Sequence, residues 1–186
     1  YNLYNMGFAG GLISTFIVSA LESVGLNMEN ERHWMTGTNL TLVILLYVVA
    51  AGLVLYGLYS EKKLIVPPYK KIVKHTGRVV TDLYVLYGNS AFFNMGLLCA
   101  FATTLMLLYG ADINGATLCG IFTIIGFGAF GKHMRNVLPV ILGAVICTHV
   151  NTWDPTAPSN TLAILFSTGL SPIAGQLGWL WGIVAG

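Results

Sequence analysis

The sequence has 186 residues, of which 55% are hydrophobic and only 9% are charged. Water-soluble domains usually carry charge on about 25% of their residues, so this composition excludes an ordinary soluble globule. The formal net charge of +2 gives no reason to expect a nucleic-acid partner. We predict an all-α fold: a polytopic helical transmembrane protein with about six membrane segments, including short and broken helices.

Three segments have the length and composition of membrane-spanning helices. The hydrocarbon core of a bilayer is about 30 Å thick, and a helix needs about 20 apolar residues to cross it. The three segments run from Gly7 to Leu21, from Asn39 to Tyr59 and from Ser90 to Tyr109. Each is therefore predicted to cross the membrane.

The remaining apolar segments are less regular. Ala116 to Phe130 and Val137 to Val150 are short for a crossing at about 1.5 Å of rise per residue. They either cross twice as tilted helices or form one re-entrant hairpin. The last segment, Thr161 to Gly186, is long enough but contains a predicted break from Gly169 to Gln176, where Pro172 removes a backbone donor.

The connection between the second and third spans predicts an amphipathic helix over about residues 67–87. Its apolar residues recur at helical spacing, and its lysines and arginine share the other face. A helix of this kind lies at the membrane surface with its basic face toward anionic lipid headgroups. The lipid bilayer is therefore the first partner that the sequence predicts.

The basic residues predict the orientation of the chain. Six alternating crossings place eight of the nine on one side, which the excess of Lys and Arg marks as cytoplasmic. These eight are Lys62, Lys63, Lys70, Lys71, Lys74, Arg78, Lys132 and Arg135. The opposite loops contain acidic residues, namely Glu29, Glu31, Asp112 and Asp154.

A candidate site for a small polar solute lies where the short and broken segments meet. Broken helices mark the binding sites of many transporters, and irregular backbone at membrane depth is tolerated where it lines a cavity. The alternative for the Gly131–Asn136 stretch is a plain cytoplasmic turn. The predicted substrate-binding residues are Asn94, Lys132, His133, Arg135, Asn136, Ser171 and Gln176.

Signatures of enzymatic chemistry are missing from the sequence. It has neither an H-E-x-x-H nor a G-x-S-x-G motif, and no pair of carboxylates falls within a predicted span. Its three cysteines match no zinc or redox spacing. We therefore expect no catalytic residue, no metal ligand and no cofactor.

Several stretches resemble an uncharacterised family of bacterial multispanning membrane proteins, the domain of unknown function 1576. The stretches are Tyr1 to Gly11, His75 to Asp82, Phe127 to Gly143 and Leu170 to Gly186. The resemblance implies a membrane setting and supplies no catalytic or binding residues. Because members of that family are longer, it also implies that residues 1–186 are a single transmembrane domain from inside a longer protein. The absence of an initial Met agrees with this expectation.

The leading functional hypothesis is a transporter or channel for a small polar solute in the bacterial cytoplasmic membrane. Its path would be lined by the short helices, the Ser171–Gln176 break and Asn94. The alternative is a non-transporting membrane scaffold or accessory subunit, which needs only close-packing glycines and the basic surface helix. The sequence leaves open whether the chain forms a homo-oligomer.

Overall fold

A computed structural model describes residues 6–26, 35–59, 66–79, 81–154 and 156–186. Within these ranges every regular element is helical, which confirms the predicted all-α class. The helices are α1 (Met6–Ser23), α2 (Leu40–Tyr59), α3 (Val66–Ile72), α4 (Leu83–Tyr87), α5 (Ser90–Leu108), α6 (Gly115–Phe127), α7 (Met134–Val150), α8 (Pro158–Ser167), α9 (Ser171–Leu177) and α10 (Trp179–Ala185).

Two helices of the described chain are long and apolar enough to cross a membrane. They are α2, with 20 residues, and α5, with 19. The two segments predicted to be short, Ala116 to Phe130 and Val137 to Val150, correspond to α6, which has 13 residues, and α7, which has 17. The structure confirms their helical character, whereas their relation to a bilayer stays a prediction.

Helices α2 and α5 form the closest pairing of long elements. A Cβ atom added at Gly96 of α5 would lie 2.8 Å from the carbonyl oxygen of Ala50. One added at Gly57 of α2 would lie 2.7 Å from the backbone nitrogen of Phe93. Small residues allow helix backbones to approach this closely, and dispersion contacts then hold the pair together.

An apolar core joins this pair to α6, α7 and α8. Its fully buried side chains come from all five helices and include Leu46, Leu98, Ile121, Ile141 and Leu165. Helix α8 lies directly against α6, since a Cβ at Gly120 would lie 2.7 Å from Cδ1 of Leu165. The core therefore fixes α6 beside α5, while α7 packs against α8, α9 and α10, and these helices together position the site.

The sequence predicted one continuous amphipathic helix over 67–87, and this prediction is wrong. The structure has two short helices there, α3 and α4, and residues 73–79 and 81–82 between them are not helical. Gly77 has a φ of 73°, a left-handed conformation that stops a right-handed helix. Asp82 then starts α4, because its carboxylate accepts hydrogen bonds from the backbone N–H groups of Tyr84 and Val85 at 2.9 and 3.0 Å.

The break predicted from Gly169 to Gln176 is present only at its start, and a second interruption follows after its end. A short 3₁₀ turn, Thr168–Leu170, separates α8 from α9, and Pro172 falls in the first turn of α9. Proline suits that position because the first N–H groups of a helix have no partner within it. The second interruption is Gly178, whose φ of 98° turns the chain into α10. Most of the predicted break is therefore helical.

Candidate functional site

The candidate site is built around the connection of residues 128–133 between α6 and α7. The connection closes on itself, because the N–H of Lys132 donates to the carbonyl oxygen of Phe127 at 3.0 Å. Gly131 makes the turn possible with a φ of 119°. Two side chains from this short segment, those of Lys132 and His133, then enter different surroundings.

Asn94 holds the connection from the side of α5. Its Nδ2 donates to the carbonyl oxygens of Gly128 at 2.8 Å and Lys132 at 2.7 Å. All three residues are buried. A buried carbonyl group without a hydrogen-bond donor costs free energy. The irregular backbone of the connection provides no donor for these two carbonyl groups, and the side chain of Asn94 supplies both hydrogen bonds. The structure therefore gives Asn94 a structural contact within the protein.

Lys132 is buried as completely as the core leucines, with 1% of its surface exposed. Its Nζ donates to Oγ1 of Thr168 at 2.9 Å and lies 5.1 Å from the ring centre of Phe127. Burial lowers the pKa of Lys132 to about 7, because the charged form loses its hydration. Lys132 thus joins the connection to the 3₁₀ turn after α8.

We call Asn94, Lys132 and Thr168 the buried polar cluster. Thr168 completes it by donating from Oγ1 to the carbonyl oxygen of Leu165 at 2.6 Å. The cluster links α5, the α6–α7 connection and the 3₁₀ turn, three parts of the chain that are far apart in sequence. Its contacts are characteristic of a cluster that fixes the positions of helices.

His133 and Asn136 form the start of α7. The N–H of His133 donates to Oδ1 of Asn136 at 2.9 Å, and Nδ2 of Asn136 donates to the carbonyl oxygen of Gly131 at 2.9 Å. Nε2 of His133 donates to the carbonyl oxygen of His75 at 2.8 Å. Burial, with a smaller effect from Arg135, lowers the pKa of His133 to about 4, so this side chain is neutral at pH 7.

A cavity of about 120 Å³ lies at this end of α7, and we call it the basic cavity. Of the ten residues that line it, four are Lys, Arg or His and none is acidic. They come from the segment after α3, the first turn of α7, α9 and the start of α10. They are Val73, Lys74, His75, His133, Arg135, Asn136, Ala174, Gly175, Gly178 and Trp179.

The structure divides the seven predicted site residues into two groups and leaves two of them, Ser171 and Gln176, outside both. His133, Arg135 and Asn136 meet at the basic cavity. Lys132 and Asn94 belong to the buried polar cluster, and Ser171 is fully buried at the start of α9. Gln176 is exposed on α9 and does not line the cavity.

Sequence reasoning predicted three of the ten residues that line the basic cavity and missed the other seven. Lys74 was assigned to one face of a continuous helix, Gly175 was placed in the predicted break, and His75 and Trp179 carried no prediction of their own. The segment after α3 reaches the cavity because it lies directly on α9. A Cβ at Gly175 would collide with the carbonyl oxygen of Thr76. The available signal was the pair Lys74-His75 just before Gly77. That local pattern does not identify a contact with Gly175, which lies about 100 positions further along the chain.

Over the part of the chain that the structure describes, the fold is all-helical, two helices could cross a membrane, and a small basic cavity lies at the start of a third helix. The family described as "Protein of unknown function (DUF1576)" matches residues 61–186. The chain belongs to this family, as the resemblance implied. No curated protein and no solved structure matches the chain.

Proposed function

We propose that this is a multi-pass membrane protein that moves a small polar solute, with the basic cavity as a binding site on its path. The observation that carries the proposal is the meeting of His133, Arg135 and Asn136 at one cavity. Small-molecule sites are concave and place a few polar groups at defined positions. Here the start of α7 supplies the exposed side chain of Arg135, and beside it lie His133 and Asn136, whose side chains also hydrogen-bond within the protein. Transporters use the ends of short helices for solute binding.

The exposed surface of α2 supports the membrane setting. Only 22% of its most apolar stretch is buried within the protein, whereas the core helix of a soluble protein would be mostly buried. Large apolar side chains face outward along its length, including Leu40 (69% exposed) and Leu55 (63% exposed). A contiguous apolar surface of this kind is stable in lipid and aggregates in water.

The topology that we propose has six crossings, with the Lys- and Arg-rich connections in the cytoplasm of a bacterial cell. In this arrangement Lys74 and Arg135 face the same compartment, which agrees with their joint position at the basic cavity. The loops that carry Asp112 and Asp154 face the opposite side. The close approach of the segment after α3 to the start of α7 supports this arrangement over one that separates them.

Labelling of single cysteines tests the topology. In a variant without the three native cysteines, cysteine is placed at Lys74, Arg135, Asp112 or Asp154 of the full-length protein in cells. An impermeant reagent should label Asp112→Cys and Asp154→Cys in intact cells, and Lys74→Cys and Arg135→Cys only after the membrane is opened. If Lys74→Cys and Arg135→Cys label from opposite sides, the six-crossing topology is wrong.

Flux through proteoliposomes tests the transport function. The full-length protein is reconstituted, and the entry of small neutral and anionic solutes is compared with that into empty vesicles. We expect at least one solute to enter faster, and Arg135→Gln to reduce its rate at least tenfold. Lys70→Gln is the matched control, because Lys70 is exposed on α3 and does not line the cavity. Equal rates with and without protein would overturn the proposal.

The second candidate is a non-transporting scaffold or accessory subunit. The specific observation in its favour is that Asn94, Lys132 and Asn136 all hydrogen-bond within the protein. Polar groups used in this way stabilise a helix arrangement without serving a solute. Co-purification of a partner at equal stoichiometry, together with no flux in vesicles, would establish this function instead.

A further inference from the structure

We propose that the basic cavity binds a phosphate-type oxyanion, either as a free ion or as the headgroup of an anionic lipid. This inference deepens the proposed function and rests on it only for the transport of the free ion. The cavity brings two cationic side chains to one end of α7, and they come from segments about 60 positions apart. Charge, size and backbone geometry each favour an oxyanion.

Charge is the first argument. Lys74 and Arg135 line the cavity together with His75 and His133, and no acidic side chain lines it among the described residues. Two cations without a facing carboxylate produce a positive potential, which low-dielectric walls strengthen. A guanidinium group also matches an oxyanion geometrically, because it donates two parallel hydrogen bonds. The cavity therefore favours an anion over a neutral solute.

Size is the second argument. A volume of about 120 Å³ corresponds to about four water molecules at their share of the liquid. Sites for drug-sized ligands and cofactors are usually about 300–1,000 Å³. The cavity is smaller than such sites and suits a single phosphate-sized group better than a whole nucleotide or sugar phosphate. Any larger attached part, such as a diacylglycerol, would have to remain outside.

The start of α7 is the third argument. His133, Arg135 and Asn136 lie at or within the first turn of this 17-residue helix. The first N–H groups of a helix have no partner within it, and the helix dipole makes this end positive. The N–H of Asn136 already donates to the carbonyl oxygen of His133, so the contribution of this helix to an anion in the cavity is its positive end, which acts in addition to the two cations.

Binding of defined probes to the full-length protein tests the inference. Titration calorimetry in neutral detergent compares inorganic phosphate, dihexanoyl phosphatidylglycerol and the neutral probe urea at pH 7. We expect one or both phosphate probes to bind and urea not to bind. Arg135→Gln and Lys74→Gln should each weaken binding at least tenfold, whereas Lys70→Gln should change it less than twofold.

The outcomes separate the two sources and the two proposals. Binding of the lipid alone identifies a headgroup site, and binding of inorganic phosphate alone identifies a site for a free ion. Either result supports the oxyanion inference even if proteoliposomes show no flux, in which case only the transport proposal fails. Binding of neither phosphate probe, or equal weakening by Lys70→Gln and Arg135→Gln, overturns the inference. Flux of a neutral solute without phosphate binding would keep the transport proposal and reject the anion.

Discussion

Lys132 and His133 are neighbours in sequence, yet they belong to two regions with opposite properties. The buried polar cluster around Lys132 hydrogen-bonds its amide, ammonium and hydroxyl donors within the protein and excludes solvent, and it leaves Oδ1 of Asn94 without a hydrogen-bond partner. The basic cavity beside His133 leaves the charged side chains of Lys74 and Arg135 exposed around an open volume. One short connection between two helices therefore supplies both a structural cluster and a candidate binding site.

The difference teaches that polar residue type alone does not identify a site in a helical membrane protein. Irregular backbone at the end of a helix leaves carbonyl groups that need donors, and side chains such as Asn94 are used for that purpose. The groups that remain available to a ligand are those at an open volume, such as Arg135. Variants on the two sides of the connection should consequently affect stability and binding separately.

The largest effect on stability should come from Asn94→Leu, in the buried polar cluster. Leucine has a similar volume but leaves the carbonyl oxygens of Gly128 and Lys132 without their donor. An unsatisfied buried group costs about 1–3 kcal/mol, so we expect a loss of about 3 kcal/mol. This corresponds to a fall of roughly 6–12 °C in the thermal midpoint, measured on the full-length protein in detergent.

The matched control for Asn94→Leu is Asn151→Leu. Asn151 also donates to a backbone carbonyl, that of Cys147 at 2.9 Å, but it is exposed at the end of α7. Water replaces the lost bond there, and the midpoint should change by less than about 2 °C. Equal effects of the two variants would show that the cluster around Asn94 is not a dry structural element.

An intermediate effect is expected from Gly175→Ala, on the side of the basic cavity. The added methyl group would collide with the backbone of Thr76, so the segment that carries Lys74 and His75 must move away from α9. Overpacking of this kind costs about 1–3 kcal/mol, which we expect as a fall of roughly 2–12 °C in the midpoint. Phosphate binding should weaken as well, because the displaced segment carries one of the two cations.

The control for Gly175→Ala is Gly126→Ala. Gly126 lies in α6 with open space at the position of an added Cβ. Alanine is about 1 kcal/mol more favourable than glycine inside a helix, so this variant should keep or raise the midpoint. A similar loss in both variants would contradict the proposed contact between Gly175 and Thr76.

Much of the fold could be predicted from the sequence because it depends on local patterns. Apolar runs such as Asn39 to Tyr59 contain enough residues for long helices, and α2 and α5 have almost the predicted bounds. The continuous helix over 67–87 failed because two local signals, Gly77 and Asp82, interrupt a favourable amphipathic pattern. Periodicity records which face is apolar, but it does not record where the backbone turns.

The site was harder to predict because its contacts are non-local. The Gly131–Asn136 stretch was singled out from the sequence as a candidate solute site, and that role stays a prediction. The separation of Lys132 from His133 depends on Thr168 and His75, which lie about 36 and 58 positions away. No local pattern encodes those pairings, so a single sequence could not distinguish the buried lysine from the histidine beside the cavity.

The last effect that we predict, a pH dependence of stability, separates the two regions without disturbing their packing. The pKa of Lys132 is about 7 in the folded protein, compared with an ordinary value of 10.5. Between these values the unfolded chain keeps a proton that the folded chain has released, so stability rises with pH, by at most about 1.4 kcal/mol per pH unit. The thermal midpoint should rise between pH 7 and 9 in the wild type, and Lys132→Met should abolish this part of the rise.

Two comparisons make the pH prediction specific to the buried polar cluster. Lys70→Met removes an exposed lysine and should keep the wild-type slope between pH 7 and 9. The lowered pKa of His133, about 4, destabilises the fold only as the pH falls from about 6.5 toward 4, so it lies outside this window. If Lys132→Met retained the wild-type slope, Lys132 would carry its charge in the folded state. The connection would then present a third cation, and the division between a dry cluster and a basic cavity would not hold.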